Sequence, residues 1–134
     1  MSEQDIRWKQ RFEQFNNAFA LLTQGIAIQQ PSVVERAGFI QFFEMAFELS
    51  WKLLKDYQQA EGFEINSPRA AIKQAFQSGL LEEGHLWIQA LEDRNLTTHT
   101  YNEVTAQLVE QKIRLQYFPL LQTLQKVFAE KIQA

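Results

Sequence analysis

Residues 8–26 read Trp8-Lys9-Gln10-Arg11-Phe12-Glu13-Gln14-Phe15-Asn16-Asn17-Ala18-Phe19-Ala20-Leu21-Leu22-Thr23-Gln24-Gly25-Ile26. The large apolar residues Trp8, Phe12, Phe15, Phe19, Leu22 and Ile26 are spaced alternately by four and three. That spacing keeps them on one face of a 3.6-residue helix, whereas a strand would alternate every second residue. A helix over about residues 3–28 follows, and the rest of the chain repeats the pattern. Pro31 breaks the first run. Ser32-Val33-Val34-Glu35 then fits a capping box, in which Ser32 and Glu35 satisfy each other's backbone amides. The second run carries Ile40, Phe43, Phe47, Trp51 and Leu54 inward and lasts to about Glu61, with Gly62 as its left-handed stop. Ser67-Pro68 caps and starts a shorter third helix, which Gly79 ends.

A fourth run begins near Glu82 and includes Leu86, Trp87, Ala90 and Leu91. Its regularity fails between Leu96 and Tyr101, where Thr97, Thr98 and Thr100 crowd together and a kink or short break is expected. Asn102 can cap a fifth helix bearing Val104, Leu108, Val109 and Ile113. Pro119 either opens a last helix or kinks the fifth. Strand signals, internal repeats and linkers are missing. The expectation is an all-α, up-and-down bundle of four long helices plus one or two short ones, forming one domain over residues 1–134.

Composition narrows the function classes. The chain has 134 residues, enough for a core without staples. Cys is absent, which removes disulfides, thiolate metal sites and a Cys nucleophile. With two His and no Cys a zinc site would need unusually many carboxylates, so neither a metal nor a cofactor is expected. The polar start Met1-Ser2-Glu3-Gln4-Asp5 is unlike a secretory signal. The longest greasy stretch, Gly38 to Leu49, is interrupted by Gln41, Glu44 and Glu48 and does not reach the ~18 residues a membrane span needs. A cytoplasmic protein with no membrane partner is the resulting expectation. The net charge of −3 lacks the basic surplus of a dedicated duplex binder. Eleven Phe, three Trp and three Tyr exceed what a slim bundle easily buries. Some are expected at an interface, with Trp8, Trp51 and Trp87 open to an interface or a nucleotide-stacking role.

Chemistry concentrates in Leu91-Glu92-Asp93-Arg94-Asn95-Leu96-Thr97-Thr98-His99-Thr100-Tyr101. A guanidinium clamps phosphate and stays charged, and an imidazole moves protons near neutrality. Together they suit metal-free chemistry at a phosphate. On an unbroken helix Arg94 and His99 would stand ~140° apart around the axis and ~7.5 Å apart along it. A two-fold dimer, with some bending of the helix, would bring them to one groove. The alternative is architectural: Arg94 pairs with Asp93, Glu92, Glu44 or Glu48, His99 is an interfacial histidine, and Tyr101 is a half-buried ring. His85 reads as a surface residue and Ser67 as a cap. The basic residues Arg7, Lys9 and Arg11 read as a solvated face.

Arg94-Asn95-Leu96-Thr97-Thr98-His99 resembles the Arg, polar residue, three variable residues, His signature of HEPN (higher eukaryote and prokaryote nucleotide-binding) domains. His99-Thr100-Tyr101 extends it to the His-x-Tyr form of HEPN proteins encoded beside minimal nucleotidyltransferases. Phe47-Glu48-Leu49-Ser50-Trp51-Lys52, Ser67-Pro68-Arg69, Ala75-Phe76 and Gly79-Leu80 are similar to the branch named nucleotidyltransferase substrate-binding proteins. This resemblance implies a helical homodimer or higher homo-oligomer that partners a nucleotidyltransferase encoded nearby in a toxin–antitoxin-like pair. It implies a nucleotide- or RNA-binding cleft of Arg94, Asn95, His99 and Tyr101. It also implies an alternative activity, a metal-independent endoribonuclease with Arg94 and His99 catalytic and Asn95 supporting, silenced by AMP transfer to Tyr101. A plain helical interaction module without a ligand is the third reading.

Overall fold

In the computed structural model the described residues are 2–97 and 102–134, without the side chains of residues 95–97. Helix α1 spans Glu3–Ile26, α2 Val33–Ala60, α3 Pro68–Gln77 and α4 Gly84–Thr97. Helix α5, Glu103–Lys112, runs through a π-helical turn, Ile113–Tyr117, into α6, Phe118–Gln133. Among the described residues every regular element is helical, so the fold is all-α as the periodicity requires.

Local chemistry sets the helix ends. The Ser32 hydroxyl accepts from the Glu35 amide at 3.1 Å, and the Glu35 carboxylate accepts from the Ser32 amide at 2.8 Å, closing the capping box. Ser67 accepts from the Ala70 amide at 3.1 Å with Pro68 in the first turn. Asn102 accepts from the Val104 amide at 2.8 Å. Gly62 and Gly79 end α2 and α3 in the left-handed region, at φ 99° and 80°. The fourth helix starts at Gly84, slightly beyond the expected Glu82. Glu83 turns left-handed at φ 58° just before it. A Cβ on Gly84 would lie 2.7 Å from the Phe76 ring, so the close approach of α3 explains this glycine.

Pro119 stands in the first turn of α6, as one of the two expectations had it, and the chain runs on from α5 into α6 without a break. Its ring would clash with the residue 115 carbonyl in an α-helix. The chain instead widens to the π turn just upstream, where the Phe118 amide donates to the Ile113 carbonyl, and then resumes α geometry.

Ring contacts report the topology. Trp8 at the start of α1 meets Tyr57 at the end of α2, with centroids 5.2 Å apart, so these helices are antiparallel. Phe118 stacks on Phe19 at 5.1 Å, while Phe128 meets Trp8 at 5.7 Å, so α6 also runs opposite to α1. The short α3 leads into α4, which returns across α2, with Trp87 against Phe47 at 5.8 Å. The bundle takes up more of the aromatic surplus than composition led one to expect. Phe12, Phe15, Phe19, Phe39, Phe43, Phe47 and Phe128 are buried, and Phe63 and Phe76 are exposed. Trp8 and Trp87 are core residues at 5% and 1% exposure, which removes them from any interface or stacking role; Trp51 is half-buried.

One ion-pair network ties three helices together. Glu110, buried on α5, accepts from Arg36 of α2 at 2.7 Å and from Arg114 of the π turn at 2.8 Å. Arg36 also pairs with Glu103. Arg114 donates to the Ile26 and Ile28 carbonyls at 2.8 and 2.6 Å. It thereby satisfies carbonyls at the end of α1, whose last turn has no basic residue of its own.

Candidate functional site

Arg94 stands in the last turn of α4, on the same helical face as Trp87 and Leu91, which enter the core. Its position at the helix end carries the guanidinium past the core to the crease between α4 and α2. There Nη1 donates to Glu48 Oε2 at 2.7 Å. The other carboxylate oxygen of Glu48 faces Lys52 Nζ at 3.6 Å, one turn further along α2. The row is therefore cation, anion, cation. Its side chains keep 25%, 39% and 38% of their surface in solvent. A cation at the C-terminal end of a helix also complements the helix dipole.

The neighbouring acid does something different. Asp93, 9% exposed, accepts at Oδ2 from the hydroxyl of buried Tyr117 and from Lys112 Nζ at 3.2 Å. Burial first, and the Asp93 carboxylate second, push the Tyr117 hydroxyl well above the ordinary tyrosine range, so it stays a donor. Tyr117 is the last residue of the π turn. The irregularity ahead of Pro119 thus aims a hydroxyl at the acid beside Arg94 and pins the last turn of α4 to α5. On the outer side Glu92 meets Arg69 of α3 at 3.4 Å.

Of the residues singled out from sequence, Arg94 reaches a solvent-accessible crease and takes Glu48, one of the four architectural partners considered for it. The backbone of Asn95 continues α4, but its side chain lies outside the described residues, as do His99 and Tyr101. His85 is exposed and Ser67 is a cap, as read from sequence. Arg11 departs from a purely solvated role and pairs with buried Asp56 at 2.9 Å. The sequence reading missed the roles of Lys52, Lys112 and Tyr117. Lys52 was legible as the i+4 partner of Glu48. Nothing in the sequence announces the Asp93–Tyr117 contact, because it depends on the π turn. Trp51, one turn from Glu48, leaves its buried indole N–H without a hydrogen-bond partner among the described residues.

Among the described residues no group of three or more His, Cys, Asp or Glu side chains is placed to hold a metal ion. No described helix is long and apolar enough to cross a membrane. The chemistry on display is that of a charge-paired guanidinium accessible from solvent.

Comparison with known proteins gives the family of the chain. Residues 10–130 match the family described as nucleotidyltransferase substrate binding protein like. A relative from Haemophilus influenzae, named probable ribonuclease HepT, is 33% identical over 92 residues. That match spans 63% of this chain and 63% of the relative. A crystal structure of a protein from Thermus thermophilus superposes with a TM-score of 0.75 at 34% identity, covering 90% of this chain and 99% of that one.

Proposed function

We propose, because this chain belongs to the nucleotidyltransferase substrate-binding protein-like family within the HEPN domains, that it is the helical, nucleotide-binding partner subunit of a separately encoded minimal nucleotidyltransferase. The observation that carries this reading is the placement of Arg94. Its guanidinium is accessible from solvent and held by a half-exposed ion pair, at the head of the segment that supplies Asn95, His99 and Tyr101. In this reading Arg94 and Asn95 hold a nucleotide phosphate and His99 and Tyr101 complete the cleft. Two copies of the chain in the cytoplasm bring their clefts together.

A second reading draws support from the relative named a probable ribonuclease. The same cleft then cuts RNA without a metal, Arg94 steadying charge on the phosphate while His99 transfers a proton. AMP on Tyr101 would place an anion two residues from His99 and compete for Arg94, silencing the cleft.

The tests are direct. Under the first reading, 5′-AMP binds the purified chain, Arg94→Gln loses that binding, and the chain copurifies with its nucleotidyltransferase. Undiminished binding by Arg94→Gln refutes it. Under the second, the chain cuts RNA in EDTA, and both Arg94→Ala and His99→Ala abolish cutting. Coexpression with an active nucleotidyltransferase adds the mass of an adenylyl group at Tyr101. Cutting that survives both substitutions excludes the ribonuclease assignment of these residues.

A further inference from the structure

Glu48 occupies the position from which an anionic ligand would reach Arg94. Its two carboxylate oxygens are divided between two cations, Oε2 on Arg94 at 2.7 Å and Oε1 toward Lys52 at 3.6 Å. Arg94 lies partly inside the α2–α4 crease, where a guanidinium without a counter-charge is disfavoured. Asp93 is not available for that task, because Tyr117 and Lys112 occupy it. Arg69 across α3 is engaged by Glu92. Glu48 alone among these acids is both close to Arg94 and half-exposed. A half-exposed ion pair contributes little to folding, so its exchange for another anion costs the protein little.

We propose that Glu48 is a built-in counter-ion of the Arg94 site, which holds the guanidinium in the free protein and yields it to a nucleotide phosphate by withdrawing to Lys52. The proposal rests on reading Arg94 as a nucleotide contact. Phosphate and carboxylate cannot share the guanidinium without facing each other at close range. Oε1 already lies near Lys52 Nζ, so side-chain rotation within one turn of α2 provides the exit, and no backbone rearrangement is required. Glu48 thereby sets the affinity threshold. A ligand must bring more to Arg94 than the carboxylate it displaces, which favours a phosphate anchored by a nucleoside over a free small anion.

The sign of the effect separates this role from a structural one. A carboxylate that merely orients Arg94 makes Glu48→Gln bind ligand more weakly. A competing counter-ion makes the same variant bind more tightly. One charge at about 4 Å in water changes affinity about fivefold. The experiment is calorimetric titration of 5′-AMP into the wild-type chain, Glu48→Gln, Lys52→Gln, the double variant and Arg94→Gln, each checked for an unchanged melting profile. Expected are about fivefold tighter binding by Glu48→Gln and weaker binding by Lys52→Gln. The Lys52→Gln effect should largely disappear in the Glu48→Gln background, since Lys52 then has no carboxylate to receive. Equal or weaker binding by Glu48→Gln, or a Lys52→Gln effect that is the same in both backgrounds, overturns the counter-ion role. Those outcomes leave the Arg94 reading intact provided Arg94→Gln still loses 5′-AMP. Wild-type-like binding by Arg94→Gln, or no binding by any variant, refutes the Arg94 reading and the counter-ion role together.

Discussion

Replacing Glu110 with Gln tests whether the buried ion network holds the bundle together. The wild-type carboxylate accepts from Arg36 and Arg114 at 2.7 and 2.8 Å, with the acid 8% exposed. Gln preserves shape but removes the charge and turns one acceptor into a donor facing an arginine. Stranding a charge in a buried pair costs about 3–5 kcal/mol. The lower end applies here and is reduced further, because Arg36 keeps Glu103 and Arg114 keeps the Ile26 and Ile28 carbonyls. We take about 2.5 kcal/mol. With an unfolding entropy of about 2.1 cal/mol/K per residue over 134 residues, that lowers Tm by roughly 9 °C. Acid should erase the difference. Burial alone would raise the Glu110 carboxyl, but the hydrogen bonds from Arg36 and then Arg114 outweigh it and hold the group below the ordinary carboxylate value of 4.5. A depressed folded value stabilises the protein above the unfolded value, and the gain is lost as pH falls through the folded one. Thermal melts followed by circular dichroism at pH 7 and at stepped values below 4.5 measure both effects. A variant melting within about 2 °C of wild type at pH 7, or a gap that persists undiminished in acid, would show that Glu110 does not hold the bundle together through its charge.

Two glycines should respond oppositely to Ala. At Gly25 the new Cβ would lie 2.5 Å from the Phe39 ring, whose other contacts include Arg114 at 4.8 Å. Overpacking of about 1–3 kcal/mol outweighs a helix-propensity gain of about 1 kcal/mol, and Tm falls. At Gly38, inside α2, no described atom outside the surrounding backbone of its own helix and its two chain neighbours lies within 4 Å of the new Cβ, and Tm rises by the equivalent of about 0.5–1 kcal/mol. Differential scanning fluorimetry on both variants reads these shifts. Ser32→Ala opens the capping box and should cost about 1 kcal/mol in denaturant melts, with Ser32→Asp recovering most of it. In ultraviolet titration, the Tyr117 hydroxyl should keep its proton past the ordinary tyrosine value of 10.0, because burial and Asp93 disfavour the phenolate. A raised folded value stabilises below the unfolded one and is lost as pH climbs, so Tyr117 should ionise only with alkaline unfolding. Tyr117→Phe should remove that late absorbance step, and an unchanged titration curve would show that another tyrosine carries it.

The candidate site was legible in part. Arg94 announced itself through its polar setting at the end of an otherwise apolar helix, and Glu48 through its interruption of the greasy run on α2. Both signals are local, because charges in apolar stretches need a partner or a solvent path. Lys52 was missed, although its i+4 spacing from Glu48 carries a local signal. Tyr117 carries none, since a π turn shifts the facing of every later side chain relative to an α-helix count. The Asp93–Tyr117 contact and the tie between Glu110 and the end of α1 are long-range, and helical periodicity carries no information about which distant faces meet.

The helical class, the ends of the first three helices and the inward faces of α1 and α2 were determined by the sequence alone, whereas Val104 and Leu108, read with the apolar face of α5, are exposed. Apolar spacing, caps such as Ser32, Ser67 and Asn102, and the stops Gly62 and Gly79 all act within a few residues. The continuity of the chain through Pro119 and the choice of Glu48 among the acids within reach of Arg94 were decided only by the tertiary structure. Each depends on how helices cross and which side chains arrive from elsewhere in the chain, and packing settles those matters through contacts that local propensity does not encode.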